Sequence, residues 1–228
     1  MVAGVLEENS PVLHFDILPR LTARAFMTLS KRAEWLNAGG WYLAGGTALA
    51  LQVGHRSSVD LDFFCKKKVV RVAVMENELS GIGQWQTTLA KSGTLYGKFL
   101  DAKASFIAYP FFWPSKDKQK YGCVTILKPD DIAVMKIIAL SQRGKKRDFV
   151  DLYWYCNNGG DLEETFYRTL KQYPQQHNIP HLLKSLTYFA DAEEDPMPRL
   201  NFSADWKGIK SYFRREAPRL ARKLLGLK

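Results

Sequence analysis

The sequence predicts an α+β protein, with an α/β N-terminal part and an all-helical C-terminal part. Three observations predict it. Residues 41–64 run apolar, then Ala/Leu-rich, then apolar again, a strand–helix–strand order. Residues 84–109 hold short Thr- and aromatic-rich runs separated by Ser92-Gly93 and the Asp101 region, the pattern of antiparallel strands. From Pro129 onward the apolar spacing is helical throughout. The expected domains are residues 1–120 and 121–228.

The elements follow in order. Residues 19–37 read as one amphipathic helix, with Leu21, Ala25, Leu29, Ala33 and Leu36 recurring every three or four positions. Pro19 suits its first turn and Gly39-Gly40 ends it. A strand, a helix and a second strand over residues 59–64 come next, then a helix over 68–79 closed by Gly81 and Gly83. The strands of residues 84–109 complete the sheet as antiparallel neighbours. Pro110 and Pro114 frame an aromatic, lysine-rich loop through Tyr121, and a short strand covers 123–127. Helices are expected over 129–142, 146–156, 162–172, 179–190 and 206–225. The acidic, Pro-rich stretch 192–198 reads as a loop between the last two.

Composition narrows the class. The chain has 228 residues, 46% of them apolar, and a formal net charge of +10. No run approaches the length of a membrane span, and the first residues lack a basic region followed by an apolar core. Three scattered cysteines, Cys65, Cys123 and Cys156, fit neither a disulfide framework nor a CxxC metal site, and a reducing cytoplasm is the expectation. His177 and His181 are spaced i,i+4, but Pro180 between them argues against a helical zinc pair. The basic charge points to a polyanionic partner or simply to solubility. It is concentrated at 207–228, where Lys207, Lys210, Arg214, Arg215, Arg219, Arg222, Lys223 and Lys228 face one acid, Glu216. Further clusters lie at Lys66-Lys67-Lys68 and Lys145-Lys146-Arg147.

Two stretches suggest chemistry. In the first, Gly45-Gly46-Thr47 separates a strand from a helix. Such a turn lets the backbone approach a ligand closely, and the helix N-terminus offers N–H groups to a phosphate. Asp60 and Asp62, two apart in a strand, share a face. Carboxylates placed together beside Leu61, Phe63 and Phe64 are costly without a cation, and a hard ion such as Mg²⁺ resolves the conflict. Taken singly, the glycines are also an ordinary turn and the aspartates an ordinary solvated strand end. In the second stretch, Lys136 lies in the apolar run IAVMKIIAL, either snorkelling to solvent or held to meet a triphosphate. Asp148 and Asp151 are spaced i,i+3 on a helix, either favoured helix-start acids or members of a site.

The first stretch, GGTALALQVGHRSSVDLDFF, resembles the signature of polymerase-β-like nucleotidyltransferases, and within that superfamily the AbiEii/AbiGii toxin family. Lys128-Pro129-Asp130-Asp131 through Lys136, and the segment SQRGKKRDFVDLY, resemble the family's later motifs in the same order. The resemblance covers residues 41–155. It implies a polymerase-β-like mixed sheet with flanking helices and a helical C-terminal domain. It implies transfer of a nucleoside monophosphate from an NTP, with Mg²⁺ or Mn²⁺, to an acceptor expected to be RNA, notably tRNA. It also implies a cytoplasmic toxin partnered by an antitoxin. Gly45, Gly46 and Thr47 would hold the triphosphate, with Arg56, Lys136 and Lys146 among the NTP-binding residues. Asp60 and Asp62 would hold the metal, and Asp148 and Lys136 would join them in catalysis, with Asp151 in support.

The pattern departs from the superfamily at one point. A third carboxylate is common on a later sheet strand, yet the run Lys103 to Ile107 holds none, and Asp101 falls in a turn. Asp148 substitutes, or another base acts, or the chain is a vestigial module that binds RNA or an antitoxin. A small-molecule acceptor is the remaining alternative.

Overall fold

A computed structural model describes residues 12–175 and 178–226. His177 and Lys228 lie outside the described residues. The chain divides into two units. One comprises the chain up to Gly54 together with Ser58–Lys128; the other comprises His55–Ser57 and Pro129–Lys228.

The first unit is built on a sheet of seven strands among the described residues. These are β1 (Tyr42–Ala44), β2 (Leu61–Cys65), β3 (Trp85–Lys91), β4 (Thr94–Phe99), β5 (Ala102–Ala108), β6 (Lys118–Tyr121) and β7 (Val124–Leu127), in the order β3-β4-β5-β2-β1-β7-β6. β1 pairs antiparallel with β2 and parallel with β7. β2 and β5 run parallel, setting Asp62 opposite Ser105. The sheet is therefore mixed. The expectation of antiparallel strands holds for β3, β4 and β5 among themselves, but not where β5 meets β2. The loop expected through Tyr121 ends in β6, which pairs with β7.

The helices of this unit are α1 (Arg20–Arg32), α2 (Glu34–Gly39), α3 (Gly45–Val53) and α4 (Val72–Ile82). The single helix expected over 19–37 is thus two. Ala33, at φ −98° and ψ 60°, leaves helical geometry, and the chain restarts at Glu34. This lets both Leu29 and Leu36 reach full burial. Gly40, at φ +70°, ends α2 in the left-handed conformation that glycine adopts without a Cβ clash. Along β2 the odd positions Leu61, Phe63 and Cys65 are buried, while Asp62 and Phe64 are half-buried on the opposite face. The buried face packs Phe63 flat on Phe106, with ring centroids 5.1 Å apart, and Trp41 and Trp85 edge-on to Phe106.

The second unit is helical: α5 (Pro129–Gln142), α6 (Lys146–Asn157), α7 (Leu162–Gln172), α8 (Ile179–Ser185), α9 (Ala190–Glu193) and α10 (Trp206–Leu225). The helix expected over 179–190 stops at Ser185, and α9 is separate. Phe149 of α6 anchors the core, with Phe189, Phe213 and Trp206 at centroid distances of 5.0, 5.4 and 5.7 Å. Side chains of Asp161, Asn178 and Asp205 cap α7, α8 and α10 by accepting first-turn N–H bonds. His55–Ser57 joins this unit through its backbone: Ser57 donates to the Arg199 carbonyl and Asn201 to that of His55. No described helix is long and apolar enough to cross a membrane.

Candidate active site

In the first unit, Gly45 opens α3 directly after β1 with φ +72°, a conformation that favours glycine. A Cβ built there would lie 3.5 Å from Oδ2 of Asp62. The glycine thus places no side chain against that carboxylate oxygen at the start of α3. Asp60 stands one residue before β2 and Asp62 lies within it, both half-buried. Ser105, 3% exposed, donates its hydroxyl to Oδ1 of Asp62 at 2.6 Å.

Thr47 is also 3% exposed. Its hydroxyl donates to the Asp60 carbonyl and lies 2.7 Å from the Ser58 hydroxyl. One side chain of α3 thereby fastens the chain that leads into the aspartates. Sequence reasoning grouped Thr47 with the triphosphate; in the structure its hydroxyl serves the Asp60 segment.

Gly46, half-buried, is the second residue of α3; Arg56, Lys136, Lys146, Asp148 and Asp151 belong to the second unit. Lys136 is 4% exposed and does not snorkel. Its Nζ lies 2.8 Å from Asp148 Oδ1 and 2.6 Å from Asp151 Oδ2. Asp148 and Asp151 are fully buried, so they are not solvated helix-start acids. Arg56 grips Asp151 with two bonds, Nε to Oδ1 at 2.5 Å and Nη2 to Oδ2 at 2.9 Å. His55 Nε2 lies 2.8 Å from the same Oδ1. Arg143 reaches both oxygens of Asp148, at 3.1 and 3.2 Å.

These neighbours set the charge states. Burial alone would push Asp151 up, but the Arg56 and Lys136 charges beside it, with bonds from His55 and Arg56, hold it well below the usual carboxylate range. Burial opposes the charge on Asp148 too, and Lys136 and Arg143 outweigh it, leaving Asp148 below its ordinary value. His55 goes the other way from most paired histidines. Burial lowers it more than its bond to Asp151 raises it, and the Arg56 and Lys136 cations lower it further. Neutral His55 donates Nε2–H to Asp151.

Lys146, 7% exposed, is committed at the base of α6. Its Nζ donates to the carbonyls of Glu193 and Asp195, and its backbone N–H to Asp195 Oδ2 at 3.0 Å.

Two residues with a clear place here were not singled out as site residues from the sequence. Ser105 sits in the run inspected for an acid, and only knowledge of the parallel β2–β5 register reveals that it faces Asp62. His55 lies inside the GHR string, but nothing in that string announces Asp151 as its partner.

The donor chemistry of Asp60 and Asp62 fits a hard divalent cation. Two carboxylates, one of them held through Oδ1 with Oδ2 on the Gly45 side, are oxygen donors of the kind Mg²⁺ takes together with phosphate and water. Among the described residues no group of three or more His, Cys, Asp or Glu is placed to hold a metal ion.

A family model described as the nucleotidyl transferase AbiEii toxin of type IV toxin–antitoxin systems matches residues 34–94 and 114–224. An uncharacterised protein of Aquifex aeolicus is 31% identical over 179 residues, covering 77% of this chain and 85% of its own. Among solved structures, the nucleotidyltransferase toxin MenT4 of Mycobacterium tuberculosis H37Rv superposes with a TM-score of 0.56 at 17% identity, covering 89% of this chain and 86% of its own. A putative nucleotidyltransferase of Helicobacter pylori superposes with a TM-score of 0.52 at 20% identity, covering 92% and 99%. At those identities the two structures establish the nucleotidyltransferase fold.

Proposed function

The chain belongs to the AbiEii nucleotidyltransferase toxin family of type IV toxin–antitoxin systems, and from that premise we propose that it transfers a nucleoside monophosphate from an NTP to an RNA end in a reaction dependent on Mg²⁺ or Mn²⁺. The observation that carries the proposal is Asp62, held by Ser105 through one oxygen, with its other oxygen toward the glycine that opens α3.

Asp60 and Asp62 would hold the cation. When bound, it neutralises charge on the leaving pyrophosphate and helps align the acceptor hydroxyl. Gly45 and Gly46 present the N-terminal N–H groups of α3 to the triphosphate. Thr47 acts on the protein side by fixing the Asp60 segment. Within the second unit, Lys136 directs its ammonium at Asp148 and Asp151. Arg56, Asp148 and Asp151 hold that ammonium in place, while Lys146 ties the start of α6 to the carbonyls of Glu193 and Asp195. Most of the rate would come from positioning and electrostatics.

The net charge of +10 supports a polyanionic acceptor. The basic helix α10 supports it less than its composition suggests. Lys210, Arg215, Arg219 and Lys223 are all tied in ion pairs, to Glu193, Glu216 and Glu163. Membership in a toxin–antitoxin family supports an antitoxin partner.

The test is incubation of the protein with Mg²⁺, each α-³²P-labelled NTP and total RNA, resolved on a denaturing gel. Label in an RNA band that disappears in the Asp60→Asn/Asp62→Asn variant is the expected result. Full transfer by that variant would overturn the mechanism. Ser105 in place of a third carboxylate favours one rival, a vestigial binding module. Such a module would show no cation-dependent NTP binding.

A further inference from the structure

We propose that the aromatic strip from Phe64 through Tyr109 and Phe111 to Trp113, flanked by Lys66 and Lys118, is a stacking platform for the unpaired end of an RNA strand. The strip lies within the first unit. It deepens the nucleotidyl-transfer reading and rests on it only for the identity of the strand as acceptor.

The strip begins beside the carboxylates. Side chains alternate along β2, so Phe64 shares a sheet face with Asp62, about 7 Å further along the strand. Phe64 is half-buried, with the Tyr42 ring stacked on one side at 6.3 Å and the Tyr109 ring edge-on at 5.6 Å. Tyr109 is fixed at the end of β5, where its N–H donates to the Cys65 carbonyl at 2.7 Å. Phe111 follows, edge-on to Tyr109 at 5.9 Å.

The loop is built to display rings. Phe112 is fully buried and anchors it, while its neighbours Phe111 and Trp113 are 47% and 55% exposed. A loop that only needed apolar packing would not turn two of three consecutive aromatics outward.

The charges around it select the ligand. Lys66 Nζ sits 3.0 Å from the centroid of the Trp113 ring, and Lys118 Nζ lies 5.4 Å from the Tyr42 ring. Lys66, Lys67 and Lys68 leave β2 as an exposed cationic run, and Lys116 adds another exposed cation from the loop. The one acid of that loop, Asp117, is ion-paired to Lys128. Exposed rings interleaved with ammonium groups suit a single strand, whose bases stack on aromatics while lysines track its phosphates. A duplex offers neither free base faces nor a matching groove contact. The position two residues from Asp62 suits the end of a strand delivered to a reaction at the carboxylates.

The test measures binding alone. A short fluorescein-labelled oligoadenylate is titrated with the full chain by fluorescence anisotropy, in EDTA and without NTP. The single strand should bind more tightly than a duplex of the same length. Phe111→Ala with Trp113→Ala should weaken it at least about tenfold, and Lys66→Gln should lower the salt dependence by roughly one counterion. Both sites are exposed, and unchanged thermal melts confirm folding. Equal affinity for the duplex, unchanged binding in the ring and lysine variants, or no binding at all would overturn the platform and leave the surface to a protein partner. The labelled-NTP assay separates the two readings. Oligoadenylate binding that depends on the rings, with no transfer from any NTP, keeps the platform and removes nucleotidyl transfer. Transfer to RNA with an unchanged KM for RNA in the ring variant removes the platform and keeps nucleotidyl transfer.

Discussion

Ser105 donates its hydroxyl to Oδ1 of Asp62 at 2.6 Å, from the register position directly across the parallel β2–β5 pair. A hydroxyl thus stands where a third carboxylate was sought. It adds no charge, but it fixes which oxygen of Asp62 points toward Gly45. Ser105→Ala should lower cation affinity by about 10-fold or more, as loss of an outer partner of a metal-holding carboxylate does. Ser105→Thr should retain most of it. Mn²⁺ binding followed by electron paramagnetic resonance, without substrate, checks this. Equal affinity in the Ala variant would show that Asp62 needs no orienting bond.

Thr47 offers a sharp division between two roles. As a triphosphate ligand, its loss would change nucleotide affinity and leave stability alone. As the tether of the Asp60 segment, its loss should destabilise the first unit by about 1 kcal/mol, because a part-buried carbonyl loses its donor. Thr47→Val should therefore lower the urea midpoint, while Thr47→Ser keeps it near the wild-type value. A Val variant with normal stability and weakened NTP binding would return Thr47 to the ligand.

Much of this architecture is legible in the sequence, for identifiable reasons. The β1–Gly45-Gly46–α3 turn and the ends of α5, α7 and α10 follow from glycine, proline and apolar period, which are local signals. What fails is non-local. That β5 runs parallel to β2 depends on pairing across forty residues, so Ser105 could not be matched to Asp62. The break at Ala33 is invisible because alanine favours helix, and packing of Leu29 and Leu36 overrides that preference. In the sequence Lys136 reads as a lysine able to reach solvent, because its apolar neighbours are local whereas its partners Asp148 and Asp151 lie on the next helix. The Lys146 ammonium is likewise drawn to the carbonyls of Glu193 and Asp195, whose proximity only the folded helices create.

The Lys136 cluster predicts a large stability effect. Lys136→Met removes the cation shared by two buried carboxylates and leaves Arg143 and Arg56 to hold them. Breaking a buried pair from one side costs about 3–5 kcal/mol. Urea denaturation should show that loss for Lys136→Met and a smaller one for Lys136→Arg. If Met at this position left the midpoint unchanged, the ammonium would not be an element of the fold, and a ligand-only role would be favoured.

The same cluster fixes the direction of the pH dependence. Asp148 and Asp151 titrate lower in the folded chain than when unfolded, and so does His55. Each therefore binds its proton more readily in the unfolded state, and stability rises with pH across the window of its shift. Their contribution is complete above about pH 6.5, the unfolded value of histidine. As pH falls, the His55 share goes first, with a slope of at most about 1.4 kcal/mol per pH unit. The carboxylate share follows below about pH 4, through the folded values of Asp148 and then Asp151. Urea midpoints measured from about pH 8 down to about pH 2 should fall in that order. His55→Gln should flatten the upper step and preserve the lower one, since an amide can still donate to Asp151 but does not titrate. A wild-type midpoint that rises on acidification through pH 6 would mean that His55 is charged in the fold and that Asp151 is held by three cations rather than two.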